Sequence, residues 1–418
     1  MTSRKRKAAD LTGIRQRGAR FQVRIFGGID PATGRQLILT GSAATEADAL
    51  ALRDGFRKQV ADHTAVRTNV TLRVLLAEWL AGHQVEPSTR AGYALLIDNF
   101  IVPALGEQTL PALAKLGPRP YERLFAELGT CRRRCSGKRF IEHRTPRRHE
   151  CDHRCATHAC RPLAASSIRQ CHAVLSRAYA AAVRWGWIAF NPMEAAQKPR
   201  LPAPDPDPPT SQEAARILAG AWAEDADWGL LVWMLLVTGA RRGEVLALRW
   251  ENVDLASGVL TIRHSVSQLD GITTIKGTKT HQTRRIALDA ETVALLSEHR
   301  AEVTTRCAEL GDQFDDQRFL FSYQPNHSRP CNPSGVSHRY ARMVAKLGIR
   351  THLHAMRHYS ATELLASGVD LRTVAGRLGH GGGGATTLKV YAAWVARADQ
   401  QASELLAARL PSPRTPPR

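Results

Sequence analysis

At 418 residues the chain is too long for one ordinary domain and calls for two or three. Apolar residues make up 43%, enough for real cores and too many for a disordered chain. Against 58 Lys and Arg stand 38 Asp and Glu, a formal charge of +20 that favours a polyanionic partner, nucleic acid first. The longest apolar run, Leu230 to Val237, falls far short of the roughly 20 residues a spanning helix needs. The basic start MTSRKRKAAD has no apolar stretch behind it. The expectation is a soluble, intracellular, basic, multidomain protein, neither secreted nor integral to a membrane.

In chain order, the first segment (1–62) reads as a small α+β domain. Phe21 to Ile25 alternates apolar and charged residues, and Arg35 to Thr40 resumes after the turn signal DPATG. An amphipathic helix from Ala44 to Val60 follows, acidic early and basic late, as the helix dipole prefers. Arg15, Arg17, Arg20 and Arg24 make this segment a candidate DNA-binding surface, with a small packing or dimerisation module as the alternative.

The second segment (70–197) reads as all-α. Tyr93, Leu96, Ile97 and Phe100 recur at helical spacing until Pro103 is expected to stop the run. Ile168, Cys171, Leu175, Ala178 and Ala182 make a second stripe ending near Gly186. A Cys/His-rich basic insertion spans about 131–161, with ten Lys and Arg against three acids. Cys131, Cys135, Cys151 and Cys155 are spaced C-x3-C and C-x3-C, close to a zinc ribbon. One structural zinc held by these four thiolates is the expectation, with His153, His158 and Cys160 as substitute ligands. The alternative is a basic loop with incidental thiols.

Six prolines between Pro199 and Pro209 then forbid helix and sheet and mark a spacer. The third segment (210–408) opens on a capping box, Thr210 with Glu213, and is mainly α with a β region from Val259 to Leu288. The proline-rich tail, 409–418, reads as disordered.

Four stretches of the third segment carry chemistry. In TGARRGEVLALRW, Arg241 and Glu244 lie three apart on a helix, so the carboxylate can orient the guanidinium. In HLHAMRHYSATELL, His354, Arg357 and His358 share a helix; Ala355 stands where a zinc protease needs glutamate, which sets that reading aside. In LGHGGGGATTLKVYAAW, His380 precedes four glycines and then Tyr391. In GTKTHQTRRIAL, Lys279 sits in an apparent turn between strands. Arginines can grip a phosphodiester, a tyrosine can form a covalent phosphoester, and lysine and histidine can move protons.

TGARRGE, HAMRH and LGH…Y in that order, with a lysine between the first two, resemble the tyrosine recombinase (phage integrase) family, in flavour integrases of actinobacterial phages and integrative elements. HAMRH stands where HDLRH is commoner, so an acidic second residue is absent. The resemblance covers most of the chain. It implies an arm-type DNA-binding domain, a core-binding domain and a catalytic domain in turn. It also implies that Arg241 and Arg357 bind the scissile phosphate, with Glu244 supporting Arg241. Lys279 would protonate the leaving 5′-oxygen, His354 would assist proton transfer, and His380 would bond the phosphate. Tyr391 would form a 3′-phosphotyrosine. The implied partners are double-stranded DNA attachment sites, three further copies in a homotetramer on DNA, and accessory bending or excision factors. No catalytic cofactor is implied. Two other readings are a binding-only accessory protein, which should have lost a reacting group, and a type IB topoisomerase, which the bipartite N-terminal layout disfavours.

Overall fold

The computed structural model describes residues 11–30, 32–61, 68–145, 147–202, 207–278 and 283–379. The chain divides into two compact units, Met1–Pro202 and Ala203–Arg418, and the division falls inside the proline run. The architecture is mainly helical with small sheets. Among the described residues no helix is long and apolar enough to cross a membrane.

The first unit opens with an antiparallel sheet, β1 (Ile14–Arg17), β2 (Arg20–Ile29) and β3 (Gln36–Ala43), in that spatial order. Helix α1 (Glu46–Ala61) covers one face, where Val23, Ala43 and Ala49 are buried with Ile14, Phe21 and Ile25 packed around them. Strand alternation puts odd-numbered Phe21, Val23 and Ile25 against the helix, so Arg20 and Arg24 face away. Arg15 pairs with Gln22 and Arg17 with Arg20, which places those two arginines on the same outer face.

The helical part of this unit begins with α2 (Leu72–Gly82) and α3 (Pro87–Leu96). Pro103 does not stop the run as the sequence leads one to expect. A π-turn at Ile97–Ile101, closed by the Val102 N–H on the Ile97 carbonyl, leads into α4 (Val102–Leu105) with Pro103 in its first turn. There its missing N–H costs little. Helices α5 (Leu110–Leu116), α6 (Arg119–Thr130) and α7 (Ala165–Arg184) complete a core around Leu75, Trp79, Ile101, Leu128 and Leu175. Between α6 and α7 the basic insertion folds over a two-residue ladder, β4 (Ile141–Glu142) against β5 (Ala156–Thr157).

The second unit starts at the expected capping box. The Thr210 N–H donates to Glu213 and the Glu213 N–H to Thr210 Oγ1, opening α8 (Ser211–Glu224). Helix α9 (Ala226–Thr238) is apolar on nearly every side and runs through the core. The short α10 (Arg242–Leu246) leads to a three-stranded sheet of β6 (Val253–Asp254), β7 (Val259–Ile262) and β10 (Arg284–Ala287) in the order β10-β7-β6, and to a hairpin of β8 (His264–Leu269) and β9 (Ile272–Gly277). Helices α11 (Ala290–Glu309), α12 (Pro333–Lys346), α13 (Ala355–Ala366) and α14 (Leu371–Leu378) follow among the described residues.

Candidate active site

The site is assembled where α9 ends. Gly239 terminates that helix in the left-handed region, φ +59°, and a Cβ there would sit 2.6 Å from Leu378 and 3.3 Å from Ser360. Glycine is therefore required twice over, for its backbone and for its lack of a side chain. The chain then turns through Ala240 into Arg241, the N-cap of α10.

Glu244, three residues on and 1% exposed, organises what surrounds it. Its carboxylate accepts the Arg241 backbone N–H at 2.8 Å and Arg241 Nη1 at 2.9 Å. It also accepts Arg284 Nη2 at 2.6 Å. Burial pushes this carboxyl's pKa up, but the hydrogen bond and charge of Arg284, then those of Arg241, outweigh it and hold the group below its ordinary value. The sequence reading of Glu244 as support for Arg241 matches this geometry, yet it missed Arg284. Arg284 also donates from Nε to the Arg377 carbonyl at 3.0 Å, tying the carboxylate to the end of α14. The available signal was strand alternation: Ile286 is buried, so Arg284 two residues earlier points to the same, inner face.

Arg357 arrives from α13 and is 3% exposed. It donates from Nη1 to the Gly239 carbonyl at 2.7 Å, while Ser360 one turn on reaches the Leu236 carbonyl at 2.5 Å. Both contacts lock α13 to the C-terminus of α9, whose negative dipole end suits a guanidinium. Arg241 in turn donates from Nη2 to the Gly379 carbonyl at 3.3 Å.

These groups edge a cleft of about 550 Å³ lined by Arg241, Arg242, Arg357, His352, His354 and Tyr340, among others. No carboxylate is among its described lining residues, so the cleft is cationic. His354 sits at the N-cap of α13 rather than inside it, with its ring 5.0 Å from that of His358 and nearly perpendicular. More than a third of its surface reaches solvent, yet partial desolvation and then repulsion from His358, when that ring is protonated, and from Arg357 lower its pKa to about 4. At neutral pH it is an uncharged imidazole able to take a proton. Tyr340 is 1% exposed and burial pushes its phenol up, which makes it a poor nucleophile. Tyr121 and Tyr179 bond each other at 2.6 Å inside the first unit. Lys279, His380 and Tyr391 lie outside the described residues.

The remaining candidates lie elsewhere. Arg15, Arg17, Arg20 and Arg24 are all exposed on the outer face of the first sheet. The four cysteines expected at one zinc do not meet. Cys131 and Cys135 gather with His158 and Cys160, whereas Cys151 and Cys155 gather with His143 and His149. Linear spacing cannot reveal this, because the β4–β5 ladder separates the two pairs of thiols.

Residues 210–396 match the family model described as the phage integrase family. The prophage integrase IntR of Escherichia coli K12 is 28% identical over 241 residues, 54% of this chain and 56% of the relative, so the chain spans just over half that relative's length. The ICEBs1 integrase of Bacillus subtilis 168 is 21% identical over 377 residues, 89% of this chain and 92% of the relative. In fold, the chain is similar to the Tn1549 transposon integrase solved with transposon right end DNA. The TM-score is 0.61 at 19% identity, covering 81% of this chain and 100% of the other.

Proposed function

We propose that the chain is a tyrosine recombinase of the phage integrase family, which cuts and rejoins DNA at specific sites to integrate or excise a mobile element. The observation that carries this is the convergence of Arg241 and Arg357 on one carboxylate-free cleft, each braced from behind by a hydrogen bond to a buried partner. Two fixed guanidiniums beside a neutral imidazole are built to bind a phosphodiester and stabilise the extra charge of its five-coordinate transition state.

In this reading Arg241 and Arg357 hold the non-bridging oxygens of the scissile phosphate. The Tyr391 hydroxyl attacks phosphorus while His354 accepts its proton, and the bond to the 5′-oxygen breaks as Lys279 supplies a proton to that oxygen. His380 hydrogen-bonds the phosphate. The 3′-phosphotyrosine keeps the ester energy, and the 5′-hydroxyl of another strand reverses the step. Exchanging four strands takes one tyrosine each, which calls for a homotetramer on paired attachment sites. The exposed arginine face of the first sheet suits an outlying DNA site, and accessory bending or excision factors would shape the complex. Such chemistry belongs in the bacterial cytoplasm, at the nucleoid.

The test is a suicide DNA substrate incubated without Mg²⁺ or ATP and run on a denaturing gel. Wild type should form a covalent adduct. Tyr391→Phe, Arg241→Ala and Arg357→Ala should bind the DNA and form none. An adduct persisting in Tyr391→Phe moves the nucleophile elsewhere, and an absolute Mg²⁺ requirement overturns the mechanism.

A further inference from the structure

The basic insertion between α6 and α7 poses a physical problem that the strand-exchange chemistry does not address. Residues 131–161 carry ten Lys and Arg against three acids, so they repel one another. They have almost no core: Phe140 is 41% and Ile141 52% exposed, and the ladder between β4 and β5 is two residues long. A segment this small and this charged needs something other than apolar burial to hold one shape.

Two groups of four soft ligands lie within it. In the inner group, next to the end of α6, Cys131 Sγ lies 3.2 Å from His158 Nε2. Cys160 Sγ lies 3.7 Å from that nitrogen and 3.3 Å from Cys135 Sγ. In the outer group His149 Nε2 lies 3.2 Å from Cys155 Sγ, and His143 Nδ1 lies 3.5 Å from Cys151 Sγ. Within each group all four ligand atoms fall within 4.8 Å of one another. The edges of a tetrahedron around zinc are about 3.8 Å between sulfurs and about 3.6 Å between sulfur and nitrogen. A disulfide would need about 2.05 Å, and all of these cysteines are free.

The histidine rings supply an independent sign. His158 Nδ1 lies 2.9 Å from Glu142 Oε1, and His149 Nδ1 lies 2.7 Å from the Arg147 carbonyl. Carboxylate and carbonyl oxygens only accept, so each Nδ1 bears the proton. In the neutral ring each Nε2 then turns a bare lone pair toward the thiols. An outer oxygen fixing the ring and tautomer of an imidazole is the usual support for a metal-bound histidine. Phe140 stacks on the His158 ring at 4.5 Å and steadies it further.

We propose that the insertion binds two structural zinc ions, one at Cys131, Cys135, His158 and Cys160, the other at His143, His149, Cys151 and Cys155. The two ligand sets are nested in sequence: the inner one brackets the outer, with the β4–β5 ladder between them. The inner zinc closes the base of the insertion against α6, and the outer one closes its far end. Five thiolates and two dications nearly cancel, so the finger stays strongly cationic while its arginines, Arg133 and Arg139 among them, gain a fixed framework.

The experiment uses the full chain, made without a polyhistidine tag, dialysed exhaustively and assayed for metal by mass spectrometry. Two zinc ions per chain are expected, both released by a mercurial that caps thiols. The pair Cys135→Ser with Cys160→Ser and the pair Cys151→Ser with Cys155→Ser should each leave one. Cobalt substitution should give the stronger thiolate-to-metal absorption at the inner site, which offers three thiolates against two. One zinc per chain that disappears from both double variants would mean a single shared site and would overturn the proposal. So would metal-free protein with freely titrating thiols, or with disulfides in place of either cluster. If a double variant fails to fold, wild-type stoichiometry and mercurial release still decide the matter. The count is read without DNA, so its failure and that of the recombinase reading are separate events.

Discussion

Glu244 shows how one buried carboxylate can govern a cationic cleft. It touches no solvent to speak of, yet it fixes the backbone and side chain of Arg241 and the side chain of Arg284. Glu244→Gln keeps the shape and removes the charge, leaving two guanidiniums without compensation. The expected cost is about 3 kcal/mol of stability at neutral pH, checked by denaturant unfolding. The pH dependence follows from the direction of the shift. The folded carboxyl titrates below the ordinary value of 4.5, so its contribution is full above that value and is lost as pH falls below it. The gap between wild type and variant should therefore narrow on acidification; a gap that widens would contradict the assignment. The spacing of Arg241 and Glu244 was legible because both lie on one local turn. Arg284 was not, because its partner comes from a distant part of the chain.

Helices and strands explain why the groups point where they do. Strand period two sends Arg15, Arg17, Arg20 and Arg24 to the face opposite α1, and the antiparallel register brings two strands' arginines onto one surface. If each meets a DNA phosphate, replacing all four by Gln should flatten the plot of log affinity against log salt by up to about 3.6, at roughly 0.9 per contact. An unchanged slope would leave the face as a packing surface. In the helical part, the apolar stripe through Tyr93 and Phe100 identified the helix correctly. Pro103 misled, because its effect depends on the π-turn before it, and nothing in residue types alone announces a π-turn.

The chain divides into two compact units, and among the described residues each has one large core of its own. One is built around Trp79, Leu128 and Leu175, the other around Leu231, Leu260 and Tyr340, and the proline run lies between them. Two compact units predict two main calorimetric transitions, with Glu244→Gln lowering only the one that belongs to the second unit. A single cooperative transition lowered as a whole would show that the units fold as one.

The order of the motifs, the charge of +20, the proline break and the periodicity of the helices were all written locally, in residue types and short spacings. They sufficed for the family resemblance and for most elements. Three things depended on tertiary contacts: the third arm of the Glu244 cluster, the packing of Arg357 on the Gly239 carbonyl that caps α9, and the sorting of cysteines and histidines into two groups. For the two arginines the partner is chosen by how helices and strands pack across the fold, and for the cysteines by which segments the β4–β5 ladder brings together. Packing is a property of whole surfaces meeting in space, and no short window of sequence contains both surfaces.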